Sequence, residues 1–424
     1  MDRKNSRKRK IADKPMCKYG FSCYQKNPEH HKKFTHPVQI ENVSFPKTVN
    51  GDSVFKLENE NEQVENVEST QALQSKKEPR NIENEELSTA ETVKEILKSM
   101  PEDFFDFWNF CSTVNKSKPE EFFEWGKKIK TEADVSQILK FFASKDILQK
   151  KDAFAELGYH LVGVYDILAK KLLDDKKVVL HCHWRYYYDP PEFQTVIKLD
   201  GGDLYHIGYF RDDPSELPSI LAANNAALDA KLTLVGDNIF AAMNAELIKG
   251  IKKVKPKKMK EKFSKIQENL QKFAKEKRYS LEVKTAKTKA RDKKVVTKSF
   301  HGLGIVVPFK NDIGYRPLPD SNANLKSMLK KIVDAESDAK RLEREESLDE
   351  LITNVHFAND ECDYGMGLEL GIDLFCFGHP YFHSHILNLL PLAYDLLKRP
   401  KYSEIIKAHL ANRREGGQLD DLEV

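Results

Sequence analysis

Val178-Val179-Leu180-His181-Cys182-His183-Trp184-Arg185-Tyr186-Tyr187-Tyr188, followed by Asp189-Pro190-Pro191-Glu192 and then Phe193-Gln194-Thr195-Val196-Ile197, is the stretch on which the fold class turns. Large side chains at alternating positions predict a strand, the Asp-Pro-Pro-Glu segment a turn, and the second apolar run a returning strand. A Gly201-Gly202 turn then leads to a third strand, Leu204-Tyr205-His206-Ile207-Gly208-Tyr209-Phe210. Successive strands joined by short turns predict an antiparallel meander over 177–212. Helical patterns flank it. Thr89 to Thr92 open one helix into Val93–Leu97, and Pro101-Glu102-Asp103 opens a second, with proline in the first turn and acids at the positive end of the dipole. Residues 119–156 carry apolar side chains at helical spacing, as do Ile239–Ile248 and the basic stretch 256–278. Ser280–Lys284, Lys294–Lys298 and Ile305–Pro308 read as strands, and 322–411 as mostly helical. Helices and strands cluster instead of alternating, which predicts an α+β fold.

The chain has 424 residues, of which 40% are apolar, 10% aromatic and 32% charged. That is enough apolar material for a sizeable core and length for two or three domains. The formal charge of +3 hides a segregated distribution: residues 1–37 carry +8, 38–90 carry −6, and 249–298 carry +15. Segregation of this kind points to a polyanionic partner. Composition and patterning predict a basic tail (1–14), a Cys/His module (15–37), an acidic linker (38–90), a first α+β domain (91–248) and a second (249–424). The linker is rich in Glu, Asn, Gln and Ser and poor in large apolar residues, so it is expected to stay unfolded, spanning ~40 Å as a coil. Arg7-Lys8-Arg9-Lys10 reads equally as a nuclear import signal and as a solvated tail. No segment approaches the ~20 apolar residues of a membrane helix, and the basic start is not followed by an apolar run. A soluble intracellular chain with no membrane partner is therefore expected, its six cysteines serving as metal ligands or core residues in place of disulfides.

Cys17, Cys23, His30 and His36 follow the spacing C-x5-C-x6-H-x5-H. Two thiolates and two imidazoles make a closed tetrahedral set for structural zinc, and so short a segment depends on the metal to fold. No helix fits between these ligands, unlike a DNA-reading C2H2 finger. Together with Tyr19, Gly20, Tyr24, Asn27, Pro28 and Pro37, they resemble the PBZ-type finger, a poly(ADP-ribose)-binding module. The resemblance implies that Tyr19 and Tyr24 contact adenine while Gln25 and Lys26 face phosphate. Gln25 stands where the family usually has arginine, and Lys18 and Lys26 are placed to compensate. A zinc knob that only caps the terminus is the competing reading.

The densest acidic cluster is Asp360-Glu361-Cys362-Asp363-Tyr364-Gly365-Met366-Gly367. Glycines beside carboxylates suggest a loop approached closely by backbone or ligand, and adjacent carboxylates can raise one another's pKa to yield a proton acceptor. From these residues alone the cluster reads as a metal-binding loop or a solvated turn more readily than as a catalytic site. Strand alternation would put His181 and His183 on one face, but without further ligands they read as packing residues. The stretch 249–298 reads as a solvated lysine-rich face or as a nucleic-acid contact.

Phe357 to Cys376 closely resembles a segment of the histone PARylation factor family. So do Arg291–Gly304, Asn311-Asp312-Ile313-Gly314-Tyr315-Arg316, His183-Trp184-Arg185, Tyr187–Thr195 and Gly208–Asp212, and the likeness runs from about Leu97 to the C-terminus. Members bind the catalytic domain of DNA-damage poly(ADP-ribose) polymerases and complete a joint active site. The resemblance implies that Glu361 is the catalytic glutamate and that Asp360, Asp312, Tyr315 and Arg316 bind the polymerase. It implies modification directed to serine on histones, in the nucleus, at chromatin and DNA breaks. NAD would enter only through the partner; no Gly-rich phosphate loop follows a strand here, so the chain alone is not expected to be an enzyme. Residues 115–156 look longer than the family's usual connection, suggesting a helical insertion, and many members lack the PBZ-type module.

Overall fold

The computed structural model describes residues 95–113, 154–169, 181–309 and 313–420. The chain divides into two units, Met1–Glu78 and Pro79–Val424, and all described residues belong to the second. The Cys/His module, the acidic linker, Asp312 and most of the expected insertion lie outside the described residues.

The meander is present and larger than the sequence predicts. Strands β1 (Tyr159–Leu161), β2 (Phe193–Leu199), β3 (Tyr205–Phe210), β4 (Ile220–Asn225) and β5 (Thr233–Gly236) form one antiparallel sheet in consecutive order. Side chains alternate as a two-sided sheet requires. Val196, Ile207, Leu221 and Val235 enter one core, while Phe193, Phe210, Ile220 and Ala222 pack on the other face. The first face is covered by α1 (Glu102–Thr113), α3 (Ile239–Lys253) and α4 (Lys257–Lys277), with the short α2 (Val164–Leu168) beside them. Phe104 stacks on Tyr165, and Phe240 on Phe273, inside this core. Buried Asp103 on α1 accepts hydrogen bonds from the Tyr209 hydroxyl and the Ile239 amide, tying helix to sheet.

The second part holds α5 (Ala286–Asp292), a two-stranded ribbon of β6 (Val295–Thr297) and β7 (Ile305–Val306), and five helices: α6 (Asn322–Val333), α7 (Asp338–Asp360), α8 (Gly365–Phe377), α9 (His383–Leu396) and α10 (Pro400–Ala411). The helices surround their own core, including Leu348, Leu370, Phe375, Leu390 and Ile406. The seam between the parts is polar. Arg291 grips Asp212 through two nitrogens at 2.8 Å and donates to the Leu303 and Gly304 carbonyls. Tyr394 donates to buried Glu192, and Tyr402 to the Arg211 carbonyl. The α+β class holds.

Several expectations change. Residues 181–188 form turns, not a strand. Here side chains bond the local backbone in place of a ladder: Arg185 donates to the carbonyls of His181, Pro190 and Phe193, and Asp189 accepts from the Tyr186 amide. With no strand there, strand alternation does not position the two histidines; His183 pairs with buried Asp166 at 3.0 Å. Residues 280–284 are not a strand either. Ser280 is held by Asn238, and Thr285 caps α5, so the segment bridges two fixed points. The expected helix end at 154–156 is a single 3-10 turn, Ala155–Leu157. The division at 248/249 falls inside α3, and α4 contributes Phe263, Ile266 and Leu270 to the first core. The first part therefore extends past residue 270.

Candidate functional site

The acidic cluster is a helix–turn–helix corner. Helix α7 stops at Asp360, and Cys362 takes the left-handed conformation at φ 67°. The Asp363 amide then reaches back to the Ala358 carbonyl at 2.8 Å and the Cys362 amide to that of Asn359, satisfying carbonyls that a helix end leaves unpaired. Helix α8 restarts at Gly365. Glu361 thus caps α7 on an exposed corner, with 61% of its side chain accessible.

A second segment fixes this corner from outside. Residues 313–316 run antiparallel to it, with a bridge between Tyr315 and Tyr364. The Gly314 amide donates to the Cys362 carbonyl at 2.8 Å, and the Gly365 amide to the Gly314 carbonyl at 3.2 Å. A Cβ at position 314 would lie 2.2 Å from Asp363 Oδ1, the mobile end of that side chain, so the Asp363 carboxylate would have to swing aside to admit it. Arg316 projects over the turn. Its Nη2 donates to Glu361 Oε2 and lies 3.0 Å from Asp363 Oδ2. The pair is exposed enough that its net contribution to stability is small.

Below the corner lies a layer that sequence reading missed. The Tyr315 hydroxyl donates to Glu369 Oε2 at 2.9 Å and the Thr297 hydroxyl to Glu369 Oε1 at 2.7 Å. One turn on, Asp373 accepts from the Phe300 amide at 2.7 Å. Burial, with the nearby Glu369 charge, pushes the Asp373 carboxyl up to about 8. Burial also raises the Tyr315 phenol, so its hydroxyl stays a donor. The available signal was two carboxylates four residues apart in an otherwise apolar helix, Gly365–Phe377: buried acids need partners.

The structure therefore brings together Glu361, Arg316 and Tyr315, which are 45 residues apart in sequence between Arg316 and Glu361. Asp360 is the last residue of α7, immediately before Glu361. It faces His356, whose imidazole burial holds below its usual range, with the Asp360 charge opposing that shift. Phe357, one turn before Glu361, is an exposed aromatic. Gly365 and Gly367 do not flank a ligand loop. They lie buried in α8, where a Cβ at Gly365 would meet Val307 at 2.7 Å and one at Gly367 would meet Val355 at 3.1 Å. Among the described residues, no group of three or more His, Cys, Asp or Glu is arranged to hold a metal ion. No described helix is long and apolar enough to cross a membrane.

The family model for histone PARylation factor 1 matches residues 121–413, more than half of the chain. The chain belongs to the histone PARylation factor 1 family. It is 47% identical to histone PARylation factor 1 of Mus musculus over 322 residues, 75% of this chain and 84% of the relative. Against the Danio rerio protein of the same name it is 44% identical over 335 residues, 78% of this chain and 87% of the relative. A PBZ domain model matches residues 14–39, enclosing Cys17, Tyr19, Cys23, Tyr24, Gln25, Lys26, His30 and His36, all outside the described residues.

Proposed function

We propose that this chain is an accessory factor for DNA-damage poly(ADP-ribose) polymerases, lending them Glu361 as a general base and directing ADP-ribosylation to serine on histones in the nucleus. The carrying observation is the corner itself: a carboxylate held by backbone on an exposed turn, beside Tyr315, Arg316 and Asp360. A serine hydroxyl is a weak nucleophile until a base takes its proton. A carboxylate this exposed is poorly built to work alone but well placed to complete a partner's site, where NAD is already bound. Arg316, engaged with Glu361 Oε2, and Asp360 are the charged groups that the polymerase would meet first, with Asp312 preceding them in sequence. The family match and the resemblance of residues 311–316 and 357–376 support this reading.

In the same reading, the PBZ domain binds poly(ADP-ribose). Its two thiolates and two imidazoles fit zinc, which would supply folding energy only, while Tyr19 and Tyr24 stack on adenine and Gln25 and Lys26 face phosphate. The finger keeps the body near its product through the 38–90 linker.

The test combines a DNA-activated poly(ADP-ribose) polymerase, NAD and a histone peptide with wild-type protein or Glu361→Gln. Serine modification with wild type, lost by orders of magnitude in the variant while polymerase binding persists, is the expected result. Equal modification by both proteins removes Glu361 as the base.

A further inference from the structure

The basic stretch singled out in the sequence is not absorbed by the corner around Glu361. Its lysines are not spread evenly. Lys252, Lys253, Lys255, Lys257, Lys258 and Lys260 fall within nine positions around the connection between α3 and α4, and all six are exposed. No acid lies between Glu246 and Glu261. Glu246 is unavailable to them: it is buried and already accepts from Tyr159, Tyr205 and Lys249. None of the six side chains makes a hydrogen bond or ion pair among the described residues, whereas the side chains of Lys249 and Lys262 on either side are paired.

The connection presenting them is fixed from beneath. Val254 and Met259 pack against the first core, and Gly250 lets the Phe263 ring come within the space its own Cβ would need. Helix α4 begins at Lys257 after Pro256, which offers no side-chain cap, and its first turn holds lysines and no acid. Cations there oppose the helix dipole, where an anion would be favoured. The molecule thus holds six like charges close together on a backbone fixed by packing, at an electrostatic cost that a dense anion would offset.

We infer that this lysine array docks on the phosphodiester backbone of duplex DNA. Duplex DNA carries one negative charge per ~1.7 Å of axis, a line of charge dense enough to meet six closely spaced cations. Poly(ADP-ribose) and single strands are recognised through stacking platforms as well as cations. No aromatic residue lies between Phe240 and the buried Phe263, so the array offers phosphate contact without base contact. Basic histone tails are repelled by it. The surface goes beyond the proposed base: it places the body on the DNA around which histones are wrapped, and it stands whether or not Glu361 deprotonates serine.

The test uses full-length protein and a blunt, labelled duplex, with anisotropy read between about 50 and 200 mM salt. Wild type is compared with a variant in which all six lysines are Gln, a variant in which all six are Arg, and two half-variants covering 252/253/255 and 257/258/260. Each lost phosphate contact lowers the slope of log affinity against log salt by about 0.9, so three to six contacts lower it by about 3 to 5. The Arg variant keeps wild-type affinity and slope, and each half-variant gives part of the loss. An unchanged slope in folded Gln variants, checked by circular dichroism, overturns the inference. So does a loss of poly(ADP-ribose) binding with duplex binding intact.

Discussion

Asp373→Asn should stabilise the protein at neutral pH, and the effect should grow with pH. Asp373 is fully buried; one oxygen accepts from the Phe300 amide while the other, Oδ2, has no partner. Burial raises its carboxyl from 3.8 to about 8. Between those values the native protein keeps a proton that the unfolded chain has released, so raising pH favours unfolding. Each unit is worth about 1.4 kcal/mol; over the roughly three units from 3.8 to pH 7 the penalty reaches about 4 kcal/mol. Asparagine keeps the acceptor for Phe300 and is neutral throughout, but its amide donors meet the site where Oδ2 had no partner, which costs about 1–3 kcal/mol. A net gain of about 1–3 kcal/mol at pH 7 follows, and a larger one at pH 8. Urea unfolding of both proteins at pH 4.5, 6, 7 and 8 is the assay. The difference should vanish or reverse near pH 4.5 and widen steadily above it. A difference independent of pH, or one that shrinks as pH rises, would refute the claim that Asp373 is held protonated.

Glu369→Ala removes the acceptor for Tyr315 and Thr297; serine modification by the reconstituted mix should fall about tenfold, the scale of roughly 1.4 kcal/mol, with Glu361 still present, and Gln should restore part of it. Gly365→Ala forces a methyl to 2.7 Å from Val307 and 2.9 Å from Tyr315; a loss of about 1–3 kcal/mol is expected in thermal melts. On the acid side, burial holds His301 down at about 3 and His409 well below its ordinary value. The unfolded chain takes up those protons first, so stability should decline as pH falls below about 6.5, and His409→Gln should flatten that limb in urea titrations.

Strands β2 and β3 were legible because their alternation is strong and their turns are Pro- and Gly-marked. Strand β4, Ile-Leu-Ala-Ala-Asn-Asn, was not: small and amide side chains carry little strand preference, and only its place between β3 and β5 makes it one. The reverse error at 181–188 has a matching cause. The aromatic run there has high strand preference, but Arg185 and Asp189 satisfy the backbone locally. At the corner, sequence supplied the carboxylates and the resemblance supplied the choice of Glu361. Neither gave the Arg316 pairing, which depends on the backbone bridge that joins two segments distant in sequence, nor the support from Glu369 and Asp373.

That support explains why the Glu361–Arg316 pair can be both ordered and breakable. The main chain of the corner is held by the Gly314–Cys362 and Gly365–Gly314 hydrogen bonds and by Tyr315 on buried Glu369. None of these depends on the ion pair. The pair itself is 61% exposed on the glutamate side and 41% on the arginine side, a setting in which such a contact is worth about 0–1 kcal/mol. Had it been buried, removing the arginine would cost about 3–5 kcal/mol, too much for a docking event to spare. Under the proposed function, a polymerase that draws Arg316 to its own carboxylates releases Glu361 at almost no cost. The backbone leaves the carboxylate where it was, so a docking partner has only to complete a separation that a pair this weak already samples.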